Sequence, residues 1–348
     1  MAVQGRETDD QPEGVRLMRT RILIATAAAV LTMTGTASAA VVDHPTAPAP
    51  AWFTEEFKQR VDAAGLQGVP LEEPGALDVC PGVVIHEGGV GTGTCLVYPF
   101  GCTANFVYHS GSGPQAPAVA NGSLYLGTAG HCVEKTGEPV YGAVSTPGVG
   151  TSIQRIGTVS KSIEEYDDDG VVRDFAAIKI EDGLSVFPDS PVGGPQGIYD
   201  GCDAGQPLKY YGHGYEVAVA QGKPGGGVAA HWYEDGYGYF GTAFGGDSGS
   251  GVLHVDNRAA GNLDAVIIFD PSLAFVPGEV VGTRVTWILS FLGASYSLVN
   301  QDRTLSRDTT TTCPSGGDPA GGGGGGGGKN GGGKNGGKGG NKGGGRAS

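Results

Sequence analysis

The stretch TAFGGDSGSG, from Thr242 to Gly251, places Ser248 inside a glycine-rich turn. Gly and Ser are common in turns, because Gly adopts backbone angles that other residues avoid and Ser bonds to nearby backbone. Ser248 is a candidate nucleophile only if the chain also supplies a base, an acid that orients the base, and N–H donors for an oxyanion. If the chain supplies these groups, their order and context indicate the fold as well as the function.

The base must be one of seven histidines, and His131 is distinguished by its context. It follows LYLGTAG (124–130), an apolar run that ends in three small residues, and it stands beside Cys132. Small residues let the chain turn tightly while a neighbouring strand packs against it. Cys102 begins the preceding predicted strand, so we expect a Cys102–Cys132 disulfide that fixes the position of the ring, as a general base requires.

The acid that orients the base is expected at Asp174, near the head of the run RDFAAIKI (173–180). The alternation of this run buries one face of a strand, and a side chain at the start of the strand can point into a cleft. An acid in this position can also simply cap the strand. Asp174 is therefore a candidate because of its place in the chain rather than its residue type.

Taken in order, TAGHC, DFAAIKI and GGDSGSG resemble the motifs of the chymotrypsin-fold (trypsin-like) serine peptidases, in their secreted bacterial form. The chain order His, Asp, Ser is the order of that family. The segment GTRVTWILSFL (282–292) also resembles the family's C-terminal helix. The resemblance covers roughly Cys80 to Gly293.

The resemblance implies a role for each of these residues. Ser248 attacks the substrate carbonyl, His131 accepts the serine proton, and Asp174 holds the imidazole tautomer. The N–H groups of Gly246 and Ser248 form the oxyanion hole. The implied fold is all-β, a double antiparallel β-barrel with a short C-terminal helix, with His131 and Asp174 on the first barrel and Ser248 on the second. Acyl transfer through a serine ester needs no metal and no organic cofactor.

An α/β-hydrolase is the competing serine enzyme, and its pattern does not fit. Its nucleophile motif is G-x-S-x-G, whereas Ser250 occupies the place of the final glycine. Its acid and histidine follow the serine in the chain, and the one later histidine, His254, is too near.

The texture of the chain after Cys80 agrees with a β-rich fold. Short β-branched and aromatic runs alternate with Gly, Pro, Asp and Ser, which is typical of an antiparallel barrel or sandwich. The predicted strands include 103–108, 123–128, 152–160, 173–180, 207–214, 215–221 and 263–269, and 283–293 is predicted as a helix that stops at Gly293. A second short helix is expected after Thr54, its N-cap residue.

The sequence departs from the family pattern in three ways. No basic residue precedes an Ile/Val-Gly-Gly start, so Asp247, which resembles the aspartate that receives a new N-terminus, needs another partner. In 263–275 we recognise no serine in a position to support Asp174, as some family members have. The residue six before the nucleophile, which the resemblance places at the floor of the primary pocket, is Thr242 and not an acid. The pocket would contain an acid only if Asp264 or Asp270 reached it.

The N-terminal region predicts secretion. From Met18 a basic segment is followed by a short apolar core and the small-x-small site Ala37-Ser38-Ala39, which is typical of a signal peptide. The apolar core is too short to span a membrane. We assign 1–39 to the signal peptide with an upstream extension, 40–79 to a pro-segment or N-terminal arm, 80–313 to the peptidase domain and 314–348 to a tail.

The tail is nearly all glycine with five spaced basic residues, so it has no apolar face and is expected to be disordered. Its charges predict weak, salt-sensitive binding to an anionic cell surface or cell wall. The net charge of −14 includes this basic tail, so the body is more acidic still. An acidic body argues against nucleic acid as a partner. We expect a monomer that takes protein or peptide substrates.

Six cysteines after a signal peptide predict disulfides in an oxidising compartment. The alternative, a zinc site, lacks a C-x-x-C pair. Besides Cys102 and Cys132, the four remaining cysteines allow three pairings. Cys80–Cys95 with Cys202–Cys313 and Cys95–Cys202 with Cys80–Cys313 both remain open.

Two other functions remain possible. One is a secreted binding or surface protein with the same fold and negligible catalysis, which the absent activation start favours. The other is a structural surface protein whose Gly/Lys tail is the functional part. Deleting the tail separates these, because an enzyme would keep its turnover on soluble peptides and an adhesion protein would lose its binding.

The first testable prediction concerns specificity. With Thr242 at the pocket floor, a substrate lysine or arginine would meet no opposite charge, and burying an unpaired charge is unfavourable. We expect cleavage after small or apolar residues in a library of peptides that differ only in the residue before the cut. Preferred cleavage after arginine would contradict this assignment of the pocket.

Overall fold

The computed structural model describes residues 51–71, 80, 86–99, 101–146, 148, 150–166, 172–214, 222–267, 278–311 and 313. The predicted signal peptide, the Gly/Lys tail, the predicted strand 215–221 and Asp270 lie outside the described residues.

The first and largest sheet contains Asp174, and the turn with His131 follows one of its strands. Its order in the described residues is β19-β18-β5-β6-β9-β8-β7-β3-β4, and β1 pairs separately with β8. The pairs are antiparallel. The strands are β1 Val69–Pro70, β3 Cys95–Tyr98, β4 Cys102–Thr103, β5 Val107–Ser110, β6 Leu124–Thr128, β7 Pro139–Thr146, β8 Gly150–Tyr166, β9 Val172–Ile180, β18 Tyr296–Val299 and β19 Leu305–Ser306.

The second sheet carries the segment around Ser248. Its order in the described part of the chain is β15-β14-β11-β12-β13-β17-β16, again antiparallel throughout. A separate bridge joins Gly261 to Arg284, so β15 also approaches the end of β17. The strands are β11 Pro207–Gly212, β12 Lys223–Trp232, β13 Gly236–Gly241, β14 Gly251–His254, β15 Ala259–Asn262, β16 Ala265–Ile267 and β17 Gly278–Thr283. Two further short strands, β2 Gly89–Gly91 and β10 Ser185–Phe187, pair in parallel.

Two α-helices flank the sheets. Helix α1, Glu55–Ala64, begins where the Thr54 hydroxyl accepts the N–H of Phe57 at 3.2 Å, as the sequence predicts. Phe57 and Val61 on one face pack with Phe53 against Tyr141 and Ile153 of the first sheet. Helix α2, Val285–Leu292, ends at Gly293, whose N–H bonds back to Leu289 O.

The apolar surface of α2 joins the two sheets. Val285, Ile288, Leu289 and Leu292 lie in one buried cluster with residues of β9 and β5 from the first sheet and of β14 and β15 from the second. Burial of aliphatic side chains on both sides gives the two sheets a shared core, at about 25 cal/mol per Å² of apolar surface removed from water. This shared core holds the loops that carry the site.

The prediction of a β-rich fold with few helices is confirmed, but one predicted strand is divided in two. The segment 103–108, expected as one strand, is divided between β4 and β5. At the division the Asn105 side chain accepts the N–H of Phe106 at 2.6 Å and takes the place of a strand partner. A short polar side chain that bonds the neighbouring backbone competes with strand pairing in this way.

A prediction for the packing of α1 follows. Phe57→Ala removes a ring that is 4% exposed, and we expect the free energy of unfolding to fall by about 3 kcal/mol. Chemical denaturation measures the change, with Gln59→Ala on the exposed face of the same helix as the control. Equal stability of the two variants would show that packing of the Phe57 ring does not stabilise the fold.

Candidate active site

His131 is positioned by a tight turn that follows β6. Gly130–Cys132 form one turn of 3-10 helix directly after the strand. A Cβ atom on Gly130 would lie 2.0 Å from Ile163 O and 2.9 Å from Asp174 Oδ1, so only glycine lets the turn approach β8 and β9 this closely. The Cys102–Cys132 disulfide joins the same turn to β4.

Asp174 contacts His131 through both carboxylate oxygens. The Nδ1 atom of His131 lies 2.5 Å from Asp174 Oδ2, and the His131 backbone N–H donates to Oδ1 at 2.9 Å. Asp174 is fully buried and His131 is 6% exposed. Two bonds from one residue fix both the position and the rotation of the ring.

Tyr166, at the end of β8, also supports Asp174. Its hydroxyl donates to Asp174 Oδ2 at 3.0 Å. The sequence offered no serine for this role, and a tyrosine eight residues earlier gave no signal, because its contact depends on how β8 and β9 pair. The Asp174 carboxylate thus receives three hydrogen bonds, which replace the water that burial removes.

The main chain of Asp174 is anchored to the second sheet. Its N–H donates to Thr283 Oγ1 at 2.9 Å, and its carbonyl accepts Asn262 Nδ2 at 2.8 Å. Thr283 and Asn262 are both fully buried. The acid on the first sheet is therefore held in place by side chains of the second.

The Ser248 turn is held from the opposite direction by Thr103 of β4. The Thr103 N–H donates to Ser248 O at 2.9 Å, and its hydroxyl donates to Gly246 O at 2.8 Å. Thr103 Oγ1 in turn accepts the N–H of His213 at 3.0 Å. One buried threonine of the first sheet thus fixes two carbonyls of the serine turn.

The turn brings Ser248 close to the His131 segment. Cys132 Sγ lies 3.8 Å from Ser248 O. The hydrogen-bond partner of the Ser248 hydroxyl, among the residues that the structure describes, is the backbone oxygen of Asp264 at 3.5 Å. Among the described residues no hydrogen bond joins the Ser248 hydroxyl to His131, although the two residues lie on adjoining segments.

Gly246 and Ser248 present candidate oxyanion donors. Gly246 has φ +103°, and a Cβ there would lie 2.7 Å from His213 O, so the position requires glycine. In the described part of the chain, neither the Gly246 nor the Ser248 N–H donates a hydrogen bond. N–H groups without partners beside a nucleophile are suited to binding an oxyanion.

Asp247 has neutral partners. Its carboxyl oxygens accept the N–H groups of Gly214 and Phe244 at 2.6 and 3.0 Å, and the Tyr210 hydroxyl lies at 3.1 Å. Full burial raises the pKa of Asp247 to about 6, against the lowering effect of these hydrogen bonds. These neutral groups are the partners that Asp247 has in place of a new N-terminus.

The structure does not bring the pocket candidates together. Thr242 is exposed, and its carbonyl accepts the Tyr210 hydroxyl at 2.7 Å. Asp264 is fully buried, with one carboxyl oxygen bonded to Asn262 and the other to Thr283. Asp264 is therefore not available as a countercharge for a basic substrate side chain.

The three disulfides are Cys80–Cys95, Cys102–Cys132 and Cys202–Cys313, which selects one of the pairings that the sequence left open. Among the described residues, Cys102, Cys132 and His131 form a close group of possible metal ligands. The two sulfurs are joined to each other, and a disulfide offers no thiolate to a metal ion. No helix in the described ranges is long and apolar enough to cross a membrane.

No protein-family model and no curated protein matches the chain. Among solved structures it is similar to chymotrypsin from Cellulomonas bogoriensis, with 17% identity, 60% of this chain and 96% of that chain covered, and a TM-score of 0.38. It is also similar to the MamO protease domain from Magnetospirillum magneticum, with 16% identity, coverage of 54% and 96%, and a TM-score of 0.32. A Glu endopeptidase matches with 16% identity, coverage of 57% and 93%, and a TM-score of 0.31. The function proposed below depends on the arrangement of His131, Asp174 and Ser248.

A stability prediction follows from Asp247. Because its pKa in the folded state is raised above the unfolded value, the folded state binds the proton more tightly. Its contribution is complete below about pH 4 and is lost as the pH rises through about 6, at a cost on the order of 3 kcal/mol.

Asp247→Asn imitates the neutral acid, so it should remove this part of the pH dependence. Thermal unfolding of both proteins between pH 4 and 7 measures the difference, which should grow with pH in favour of the variant. A constant difference over that range would mean that Asp247 is ionised throughout.

Proposed function

We propose that this protein is a secreted serine endopeptidase with a double β-barrel of the chymotrypsin type. It hydrolyses peptide bonds through His131, Asp174 and Ser248. The observation that carries the proposal is the double hydrogen bond from His131 to the buried Asp174, on a turn that adjoins the Ser248 segment.

In the proposed mechanism His131 acts as the general base through Nε2. Nδ1 is committed to Asp174, so the neutral ring carries its proton on Nδ1 and has a lone pair on Nε2. Ser248 Oγ gives its proton to Nε2 as it attacks the substrate carbonyl. Nε2 later returns this proton to the leaving amine, and water hydrolyses the acyl-enzyme by the same route.

The Ser248 hydroxyl must turn from Asp264 O toward His131 before it can react. Its bond to Asp264 O is long, 3.5 Å, and little is lost when it breaks. Catalytic hydrogen bonds are often loose in free enzymes and become tighter when substrate binds. The observed rotamer is therefore compatible with catalysis.

The developing oxyanion would bind between the N–H groups of Gly246 and Ser248. Thr103 holds the carbonyls of both residues, so the two donors are oriented before substrate arrives. Removing one donor of this kind typically lowers the rate by a factor of about 100 to 1000.

The main chain of the substrate would bind along β16. This strand pairs on one edge with β17, and within the described residues its other edge is open. It directly follows Asp264, whose carbonyl contacts Ser248. An open strand edge accepts an extended peptide through main-chain hydrogen bonds, whatever the peptide's side chains. Thr242 gives no charge for basic side chains, so we propose small or apolar specificity.

The cellular setting is part of the same proposal. Three disulfides are compatible with a secreted protein, because such bonds persist in oxidising compartments. We propose export by the signal sequence at 18–39 and action outside the cell as a monomer. The basic tail would add weak attachment to an anionic cell surface.

A fluorophosphonate probe tests the function, because it labels only a serine that a base activates. The wild-type protein should be labelled, and Ser248→Ala and His131→Ala should not. Hydrolysis of a peptide library should fall in both variants by about ten-thousand-fold or more.

Ser250→Ala and His254→Ala are the matched controls. Ser250 lies in the same motif and His254 is the next histidine, and both variants should still be labelled. Labelling that depended on Ser250 would contradict the proposed nucleophile. A folded, disulfide-bonded protein that stayed unlabelled, also after limited proteolysis, would favour the inert binding protein.

A further inference from the structure

Asp264 contacts both the nucleophile and the anchors of the catalytic acid. Its carbonyl accepts the Ser248 hydroxyl at 3.5 Å. Its side chain bonds Asn262 at 2.6 Å and Thr283 at 2.7 Å, the two residues that hold the main chain of Asp174. A second carboxyl group therefore lies behind Asp174 in the fully buried interior.

The hydrogen bonds show where a proton on Asp264 would lie. Asn262 Nδ2 faces the Asp174 carbonyl at 2.8 Å, and a carbonyl can only accept, so the amide orientation is fixed. The second Nδ2 hydrogen points at Asp264 Oδ1. A proton on Asp264 would therefore lie on Oδ2, facing Thr283 Oγ1 at 2.7 Å, a normal O–H···O length.

The surroundings favour the neutral form of Asp264. Its hydrogen-bond partners among the described residues are Asn262, Thr283, Ser248 and Val281, none of which is charged. Asp174, by contrast, receives three hydrogen bonds on its carboxylate, two of them from His131. Two adjacent buried anions would repel each other, which favours a proton on Asp264, the carboxyl group with fewer donors.

Three titratable groups face Asp264 among the described residues. They are Asp174 on β9, Tyr166 at the end of β8 and Tyr237 on β13. Complete burial, and secondly the Asp174 charge, raise the pKa of Asp264 well above its usual range.

We propose that Asp264 is a positioning residue that stays protonated in the working enzyme and connects the segments that carry Ser248 and Asp174. The inference rests on the proposed peptidase function for its kinetic consequences, but the protonation state does not depend on it. As a neutral acid, Asp264 joins Asn262 to Thr283 without adding a second negative charge beside Asp174.

Asp264→Asn tests the protonation state, because an amide can accept from Asn262 and donate to Thr283 as the neutral acid does. We expect kcat/KM within about threefold of wild type. The midpoint of the acid limb of the pH–rate profile should move by less than about 0.3 pH unit. Loss of a real negative charge near His131 would instead lower this midpoint by about one unit or more, which would overturn the proposal.

Asp264→Ala tests positioning. It removes the link between Asn262 and Thr283, so kcat should fall about tenfold or more while KM stays within about twofold. Asp256→Asn, an exposed acid on the β14–β15 turn, is the control for loss of one carboxylate and should change neither value. Unchanged kcat in Asp264→Ala would contradict a positioning role, as would equal losses in the Asn and Ala variants.

Two measurements without turnover separate this inference from the peptidase function. The infrared C=O band of a protonated carboxyl should be present in wild type at neutral pH and reduced in Asp264→Asn; its absence in wild type would overturn the proposal.

In the Ser248→Ala background, the Nδ1 proton resonance of His131 should be kept in Asp264→Asn and shifted or broadened in Asp264→Ala. If Asp264→Ala does not fold, Asp264→Asn and the infrared band still decide the protonation state. If no fluorophosphonate labelling occurs, the peptidase function fails while these tests remain valid.

Discussion

The bond between His131 Nδ1 and Asp174 Oδ2 is the interaction on which the rest of the site depends. A buried carboxylate is stable only when hydrogen bonds replace the water it has lost. Asp174 obtains them from His131 and from Tyr166, while its main chain is held by Thr283 and Asn262. These partners come from four separate parts of the chain. The correct orientation of one imidazole therefore requires both sheets to be folded and joined.

The connections between the sheets run in both directions. Thr103 of β4 holds the serine turn, whereas Thr283 of β17 holds the acid of β9. Helix α2 fills the space behind with side chains that contact both sheets. Apolar burial supplies the stability of this junction, and the polar bonds supply its precision, because hydrogen bonds are directional and dispersion contacts are not.

The buried acids of the site are distinguished by their partners. Asp174 has three donors on its carboxylate, whereas Asp247 has neutral donors and a raised pKa of about 6. Asp264 has two neutral side-chain partners and complete burial, and burial raises its pKa well above the usual range. Asp247 and Asp264 thus have raised pKa values, because burial is the largest influence on each and their neutral partners do not offset it. In an acidic protein, such control limits repulsion at the site.

The sequence by itself determined the β-rich fold, the N-cap at Thr54, the end of α2 at Gly293 and the three candidates His131, Asp174 and Ser248. These features depend on local patterns, namely capping residues, alternation and short motifs, which neighbouring residues encode. Only the tertiary structure decided the support of Asp174 by Tyr166, Asn262 and Thr283, the burial of Asp264 and the partners of Asp247. Those contacts join residues that are far apart in the chain or depend on how β8 pairs with β9. The residue types alone are as common on surfaces and in turns as in active sites, so burial and pairing had to be seen before their roles could be assigned.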